Sequence, residues 1–293
     1  MAQRLSQTQL IELAIKRVDH VSFIWSDQVL SLYLRSDSLA NQDMRRVLKL
    51  TFLVVLGLLV GVIGYEAIML ARVARLRSHN PATTSLIEIR LQEAEAQQKP
   101  KRRVQSWVPL NRISPNLQRA VLAGEDTNFV THHGFDYQAI QKAWEQAQRE
   151  AAREAKKEGE DDDWLPNLPE FRRGASTVTQ QLAKNLYLSS QRSFIRKGQE
   201  ALLTIFLEQL LTKRRILELY LNVIEWGDGI YGAEAAAQYY FHKPAASLSP
   251  NEAAFLSAMI PNPRTVYSPQ INPRRVARRQ RIILRGMPYV RLP

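Results

Sequence analysis

Hydrophobic positions along this chain follow two regimes. Between Val47 and Leu70 they run together as VLKLTFLVVLGLLVGVIGYEAIML, and Leu50 to Tyr65 carries no charge. Such a run predicts one membrane-crossing helix, because a hydrocarbon core of about 30 Å needs roughly 20 apolar residues. Lys49 and Glu66 lie near its ends, where they can reach headgroups. A buried core helix is the alternative. A cleaved signal peptide fits less well, since residues 1–46 precede the span and no small-x-small site closely follows it. Charge does not orient the span, because Arg35, Arg45, Arg46 and Lys49 on one side match Arg72, Arg75, Arg77 and Arg90 on the other.

Elsewhere the apolar positions recur at helical spacing behind explicit start signals. Ser114-Pro115 offers an N-cap and an N1 proline ahead of Leu117 and Val121. Asp136 can cap a helix whose stripe is Tyr137, Ile140, Trp144 and Ala147. Thr177 with Gln180, and Ser249 with Glu252, have the spacing of capping boxes. Ser193, Thr212 and Asn272-Pro273 open three further helices. Leu202 to Leu211 is apolar on most sides yet too short to span a bilayer, and it reads as a central core helix. No pair of alternating strands joined by a hairpin turn stands out, so the domain reads as mostly α. The chain divides into an amphipathic tail (1–46) with Leu10, Leu13, Ala14 and Val18 near helical spacing, the span (47–70), a polar stalk (71–106) and a soluble domain (107–293).

Composition narrows the class. Forty Lys+Arg against 28 Asp+Glu give a formal charge of +12, which suits nucleic acid, an anionic membrane surface or a phosphate-bearing substrate. A hydrophobic fraction of 45% excludes a disordered chain, and the lack of cysteine excludes disulfides, thiolate nucleophiles and Cys-based metal sites. Glu145 to Asp163 is highly charged and reads as a solvated face with pairs such as Glu145–Arg149. Trp164 to Phe171, interrupted by Pro166 and Pro169, reads as an apolar flap.

Two clusters carry candidate chemistry. Glu125 and Asp126 stand at the end of a helix, followed by Phe129, His132, Gly134 and Asp136. Adjacent helical residues point about 100° apart, so only one of the two carboxylates can face a given cleft. The second cluster, Arg173 to Gln181, sets small and hydroxyl residues at a helix N-terminus, where anions bind. Lys184, Arg192, Arg196 and Lys197 follow, with Glu200 one turn beyond, and cations gathered near helix starts suit a diphosphate. Unrelated surface cations are the plainer reading of the charges alone.

All of these residues except Arg192 stand within five ordered blocks: AVLAGEDTNFVTHHGFD (120–136), RRGASTVTQQLAKNLYL (172–188), RKGQE (196–200), KRRILELYLNVIEWG (213–227) and GAEAAAQYYFHK (232–243). Together they resemble the motifs of glycosyltransferase family 51, the peptidoglycan glycan-chain polymerases, in its monofunctional transglycosylase branch, over roughly Trp107 to the C-terminus. The resemblance implies a lysozyme-like, two-lobed helical domain behind a single transmembrane helix, on the periplasmic face of the cell inner membrane with the N-terminus cytoplasmic. It implies Glu125 as general base and Glu200 as a second carboxylate. Lys184, Arg192, Arg196 and Lys197 would then sit at a diphosphate, and Ser176, Gln180 and Gln181 would line sugar or phosphate subsites. Asp126, Phe129 and His132 would support the cleft. The substrates implied are lipid II and a lipid-linked glycan. No cofactor is required by the sequence, a divalent cation (Mg or Mn) could assist, and the metal ligands are unknown. No Ser-x-x-Lys occurs, so no penicillin-sensitive crosslinking is expected.

Some positions depart from the family pattern: 141–171 is longer, Ala175 and His242 stand where Gly is common, and Gln199 stands where some members have Lys. Two rival functions stay open: a lytic enzyme that cleaves glycan with Glu125 as acid, and an inactive membrane scaffold for cell-wall synthesis or division proteins. Nucleic acid is not an expected partner. The Arg-rich C-terminus (Arg274, Arg275, Arg278, Arg279, Arg281, Arg285) on a tethered protein has anionic lipid nearer to hand.

Overall fold

A computed structural model describes residues 44–158, 176–189, 191 and 193–293, with side chains of 150–158 left aside. The tail (1–43), the flap, Ala175 and Arg192 lie outside the described residues, as does part of the charged segment.

The described chain divides into two units, with the boundary between Ala67 and Ile68. Helix α1 (Met44–Arg75) is the one described helix long and apolar enough to cross a membrane. In the first unit its apolar side chains, from Val47 to Tyr65, all stand exposed.

The second unit is mostly helical. Its elements are α2 (Ser85–Ala96), α3 (Pro115–Glu125), α4 (Tyr137–Glu158), α5 (Val178–Tyr187), α6 (Phe194–Leu210), α7 (Lys213–Val223), α8 (Ala233–Phe241), α9 (Pro250–Met259) and α10 (Pro273–Gly286). Their starts follow the sequence signals. Ser114, Thr177, Ser193, Thr212 and Ser249 each accept a backbone N–H at the helix start, and Thr177/Gln180 and Ser249/Glu252 form complete capping boxes. Asp136 Oδ1 accepts from Ala139 N (2.9 Å) at the head of α4. Asn272 makes no such bond; its amide donates to the Thr265 carbonyl instead (3.2 Å). His242 ends α8 in the left-handed region (φ 55°, ψ 36°), a position that glycine takes without strain.

The mostly helical reading holds, and beside the helices a small sheet forms: β1 (Val104–Gln105), β2 (Glu225–Gly227) and β3 (Ile230–Tyr231) pair in the order β1-β3-β2. Strands of two or three residues are too short to display an alternating pattern, and only the Asp228-Gly229 turn between β2 and β3 marks them in the sequence.

α9 packs between α3 and α10, while α5 packs on α2, α6 and α7. Trp226, Tyr220, Leu117, Leu182 and Leu207 are fully buried in this core. Cutting Leu207 to Ala would cost about 2–5 kcal/mol through lost burial and the cavity left behind. α6 does not lie wholly inside. Leu203 and Leu207 are buried, whereas Phe194 (95% exposed), Ile195 (87%), Leu202 and Ile205 face outward. Where the sequence reads a stalk, the chain packs on the domain. Val73 and Ile87 are fully buried, Arg77 donates to the Leu210 carbonyl (2.7 Å), and Arg215 donates to the Leu76 carbonyl (2.8 Å).

Candidate active site

The site begins at the C-terminal end of α3, where the backbone must pass close to two other helices. A Cβ at Gly124 would meet Ser257 Oγ at 2.9 Å and Ile283 Cδ1 at 3.1 Å, so glycine here lets α3 approach α9 and α10. That approach delivers the next residue, Glu125, to α10. Arg279 Nη2 donates to Glu125 Oε1 (2.6 Å) and to the Gly124 carbonyl (2.8 Å). From α5, Gln181 Nε2 donates to Glu125 Oε2 (2.8 Å), and Tyr220 Oη of α7 donates to Gln181 Oε1 (2.8 Å). The Glu125 side chain is only 8% exposed. Burial pushes its carboxyl above the ordinary glutamate range, opposed by Arg279, the Gln181 amide and Lys184. Burial and the negative charge of Glu125 together hold Tyr220 well above its ordinary value, so it stays a hydroxyl donor.

Asp126 turns the other way, as adjacent helical positions require. Its Oδ2 accepts from Val178 N at the head of α5 (2.9 Å), and its Oδ1 pairs with His132 Nε2 (2.8 Å). His132 Nδ1 in turn accepts from Gly134 N (3.2 Å), which leaves the proton on Nε2 for Asp126. The Gly134 carbonyl accepts from Thr177 Oγ1 (2.7 Å). Gly134 has φ 91°, and a Cβ there would meet Thr204 Cγ2 at 2.7 Å. Phe129 is buried edge-on to His132, with Lys213 Nζ over its ring at 4.4 Å. Asp126, Phe129 and His132 thus knit the end of α3 to the start of α5 and set Glu125 beside Gln181 and Lys184.

The cation cluster lies on α5 and α6. Lys197 Nζ donates to Glu200 Oε1 (2.5 Å) and Arg196 Nη1 to Glu200 Oε2 (2.9 Å), while the Glu200 side chain is 5% exposed. Lys184 opens to the cleft, where desolvation, then Arg196 and Lys197, draw its ammonium below the ordinary lysine value against the pull of Glu200 and Glu125. A cavity of about 700 Å³ is lined by Glu125, Ser176, Gln181, Lys184, Arg196 and Arg279, among others. It brings Glu125, Lys184 and Arg196 into one groove, whereas Lys197 and Glu200 are not among its lining residues. Gln180 is placed differently. It is buried, and its side chain accepts from Thr177 N (2.9 Å), closing the capping box of α5. Arg192 lies outside the described residues.

Arg279 is the residue that the sequence reading grouped with a basic lipid-facing arm, and the structure places it on Glu125 instead. The signal was present in α10. Val276 and Ile283 are buried, and Arg279 falls on the same helical face between them. Among the described residues no three His, Asp or Glu side chains gather as a metal site, and both Glu200 oxygens are already engaged by cations.

A family model described as "Transglycosylase" matches residues 92–159 and 164–288. The chain belongs to the transglycosylase family. It is 47% identical over 219 residues to a biosynthetic peptidoglycan transglycosylase of Azoarcus sp. (strain BH72), covering 74% of this chain and 86% of that protein. The same description applies to a relative from Chromobacterium violaceum, 42% identical over 84% of this chain and 99% of the relative. A third, from Thiobacillus denitrificans, is 45% identical over 79% and 92% respectively. The family match spans Glu125, Lys184, Arg196, Lys197, Glu200 and Arg279.

Proposed function

We propose that this transglycosylase, a peptidoglycan glycosyltransferase, lengthens glycan by moving a lipid-linked growing chain onto the 4-hydroxyl of lipid II. The observation that carries the reading is the shared groove, with a buried carboxylate, Glu125, and the cations Lys184 and Arg196 lining one cavity. In the reaction the acceptor oxygen attacks the anomeric carbon, the new C–O bond forms and the bond to the diphosphate breaks. The electron pair leaves with undecaprenyl diphosphate, and the hydroxyl proton passes to Glu125. A carboxyl raised by burial is a better base than an ordinary glutamate, and a general base contributes about 10²–10⁴-fold. Lys184, Arg196 and Lys197 offset the charge that grows on the leaving diphosphate, and Glu200 holds the last two in place. Attack opposite an α-linked diphosphate inverts the centre to a β bond.

The exposed row of Phe194, Ile195, Leu202 and Ile205 suits a domain resting against lipid, next to its lipid-borne substrate. With α1 as a single span, the reading places the catalytic unit at the outer face of the inner membrane and the N-terminus inside. The test uses the full chain in detergent with labelled lipid II and a divalent ion. Lysozyme-digestible polymer from the native chain and none from Glu125→Gln supports the reading. Soluble fragments released from sacculi, with no polymer from lipid II, would replace it with the lytic one.

A further inference from the structure

With Arg279 turned inward on Glu125, the other arginines of α10 remain outside, and Arg274, Arg275, Arg278, Arg281 and Arg285 are all exposed. Arg274, Arg278, Arg281 and Arg285 are spaced so that, at about 3.6 residues per turn, they form one straight stripe about 16 Å long. The stripe lies on the far side of the helix from Val276 and Ile283, which are buried where α10 packs on α3 and α9. None of these outward guanidiniums has a hydrogen bond or an ion pair among the described residues. Nothing in the helix itself accounts for the arrangement. Like charges three or four residues apart repel, and a helix N-terminus disfavours cations, yet Arg274, Arg275 and Arg278 stand in the first two turns. No acidic residue occupies the first turn to offset them. A stripe that weakens its own helix and meets no anion among the described residues calls for an anion outside the chain.

The neighbours of the stripe say which anion. Ile282 (62% exposed) borders it, and Tyr289 (82% exposed) follows just beyond the end of α10. An apolar and an amphipathic side chain set among arginines suit a layer of charged headgroups over acyl chains, and a nucleic acid offers them nothing comparable. The end of the chain also lies where the domain meets its membrane helix. Arg214 Nη1 donates to the Pro293 carbonyl (3.2 Å), while the adjacent Arg215 donates to the Leu76 carbonyl (2.8 Å), directly after α1. We propose that the arginine stripe of α10, with Ile282 and Tyr289, docks on anionic phospholipid headgroups as a second membrane contact besides α1. The opposite face of the same helix carries Arg279, so this docking fixes the height of Glu125 above the bilayer. The inference goes beyond the glycan-polymerase reading and needs only that α1 spans a membrane.

The experiment uses the full chain, which has no cysteine, so that Ile282→Cys carries a single fluorescent dye at the edge of the stripe. The labelled protein is reconstituted into vesicles of phosphatidylcholine alone or with about one-third phosphatidylglycerol, each doped with a spin-labelled lipid that quenches a dye at the bilayer surface. Quenching is expected in the anionic vesicles and not in the neutral ones, and high salt should abolish it. Arg278→Gln should lower the ratio of docked to undocked protein about fivefold, as expected for one arginine at an anionic surface. Changing Arg274, Arg278, Arg281 and Arg285 together to Gln should bring quenching down to the level in neutral vesicles. Equal quenching in the two kinds of vesicle, none in either, or quenching that survives the combined change overturns the proposal. Gln is a good helix former and relieves the repulsion, so circular dichroism should find the combined variant folded. If it is not, Arg278→Gln and the salt response of the unsubstituted stripe decide. No turnover enters the measurement, so loss of lipid II polymerisation would defeat the polymerase reading and leave this one standing.

Discussion

Glu125 and Glu200 are two carboxylates at nearly the same depth, 8% and 5% exposed, held in opposite ways. Glu200 receives two cations from its own helix, three and four residues back, so its surroundings move with it as one rigid turn. Glu125 is held by Gln181 and Arg279, 56 and 154 residues away, each on a different helix. The first arrangement fixes charge in place. The second leaves a buried carboxyl whose proton affinity depends on how three helices pack, which is what a group that must take up a proton requires.

The sharpest way to break this comparison is Glu125→Gln. The amide keeps the shape and can still meet Arg279 and Gln181, but it takes no proton. Polymerisation measured on lipid II should fall about 10²–10⁴-fold at every pH. A variant retaining a tenth of native activity would show that Glu125 is held for structure, like Glu200.

Next in size is Arg279→Met. Its guanidinium is the largest of the influences that oppose burial at Glu125, so removing it should raise the Glu125 carboxyl further. Because the base must be ionised to act, the acid limb of the rate–pH profile should move to higher pH. Activity near neutrality should drop about 10–100-fold, with recovery as pH rises. A uniform loss at all pH values would mean that Arg279 only packs.

A smaller effect sharpens the same point one contact further out. Tyr220→Phe removes the hydroxyl that fixes the Gln181 amide, and that amide orients Glu125. The expected loss is about 1 kcal/mol in the barrier, near fivefold in kcat, with little change in KM. Gln181→Ala made on the Tyr220→Phe background should add less than it does alone, because both act through one bond chain.

This contrast also explains what could be read in the chain and what could not. Arg196, Lys197 and Glu200 lie within one helical turn or so, and Thr177/Gln180 and Ser249/Glu252 are three apart, so local geometry alone brings them together. The Asp126–His132–Gly134–Thr177 chain joins two motifs that stand separately along the sequence, and only the fold closes it. Arg279 was hidden among neighbouring arginines on α10, although its place between buried Val276 and Ile283 distinguished it by face. Gln180 misled in the other direction. Its capping role and its place in a motif both came from the sequence, and the hydrogen bond to Thr177 shows which one its side chain serves. The packed segment around α2 was the least legible, since a mostly polar helix gives no stripe that points to a partner.

The mildest test uses a third carboxylate, Glu252 on α9, which is held locally like Glu200 but lies nearer solvent. It accepts from Ser249 N (2.8 Å), from Ser249 Oγ (2.7 Å) and from Lys243 Nζ (2.8 Å). These donors pull its carboxyl from 4.5 down to about 2. A depressed value means that the folded state favours the ionised form, so its contribution to stability is present above about 4.5 and is lost as pH falls toward 2. Glu252→Gln should therefore cost about 1 kcal/mol by denaturant unfolding at neutral pH, the usual worth of a capping interaction, and almost nothing near pH 2. Glu125 has the opposite sign. Its raised carboxyl gives its full stability contribution below 4.5 and loses it as pH rises through the folded value. Glu125→Gln should accordingly leave stability unchanged in acid and improve it relative to native as pH rises, less whatever attraction to Arg279 is lost. If both variants showed the same pH dependence, local capping and tertiary burial would not be setting these two carboxyls apart, and the case for Glu125 as the proton acceptor would lose its physical basis.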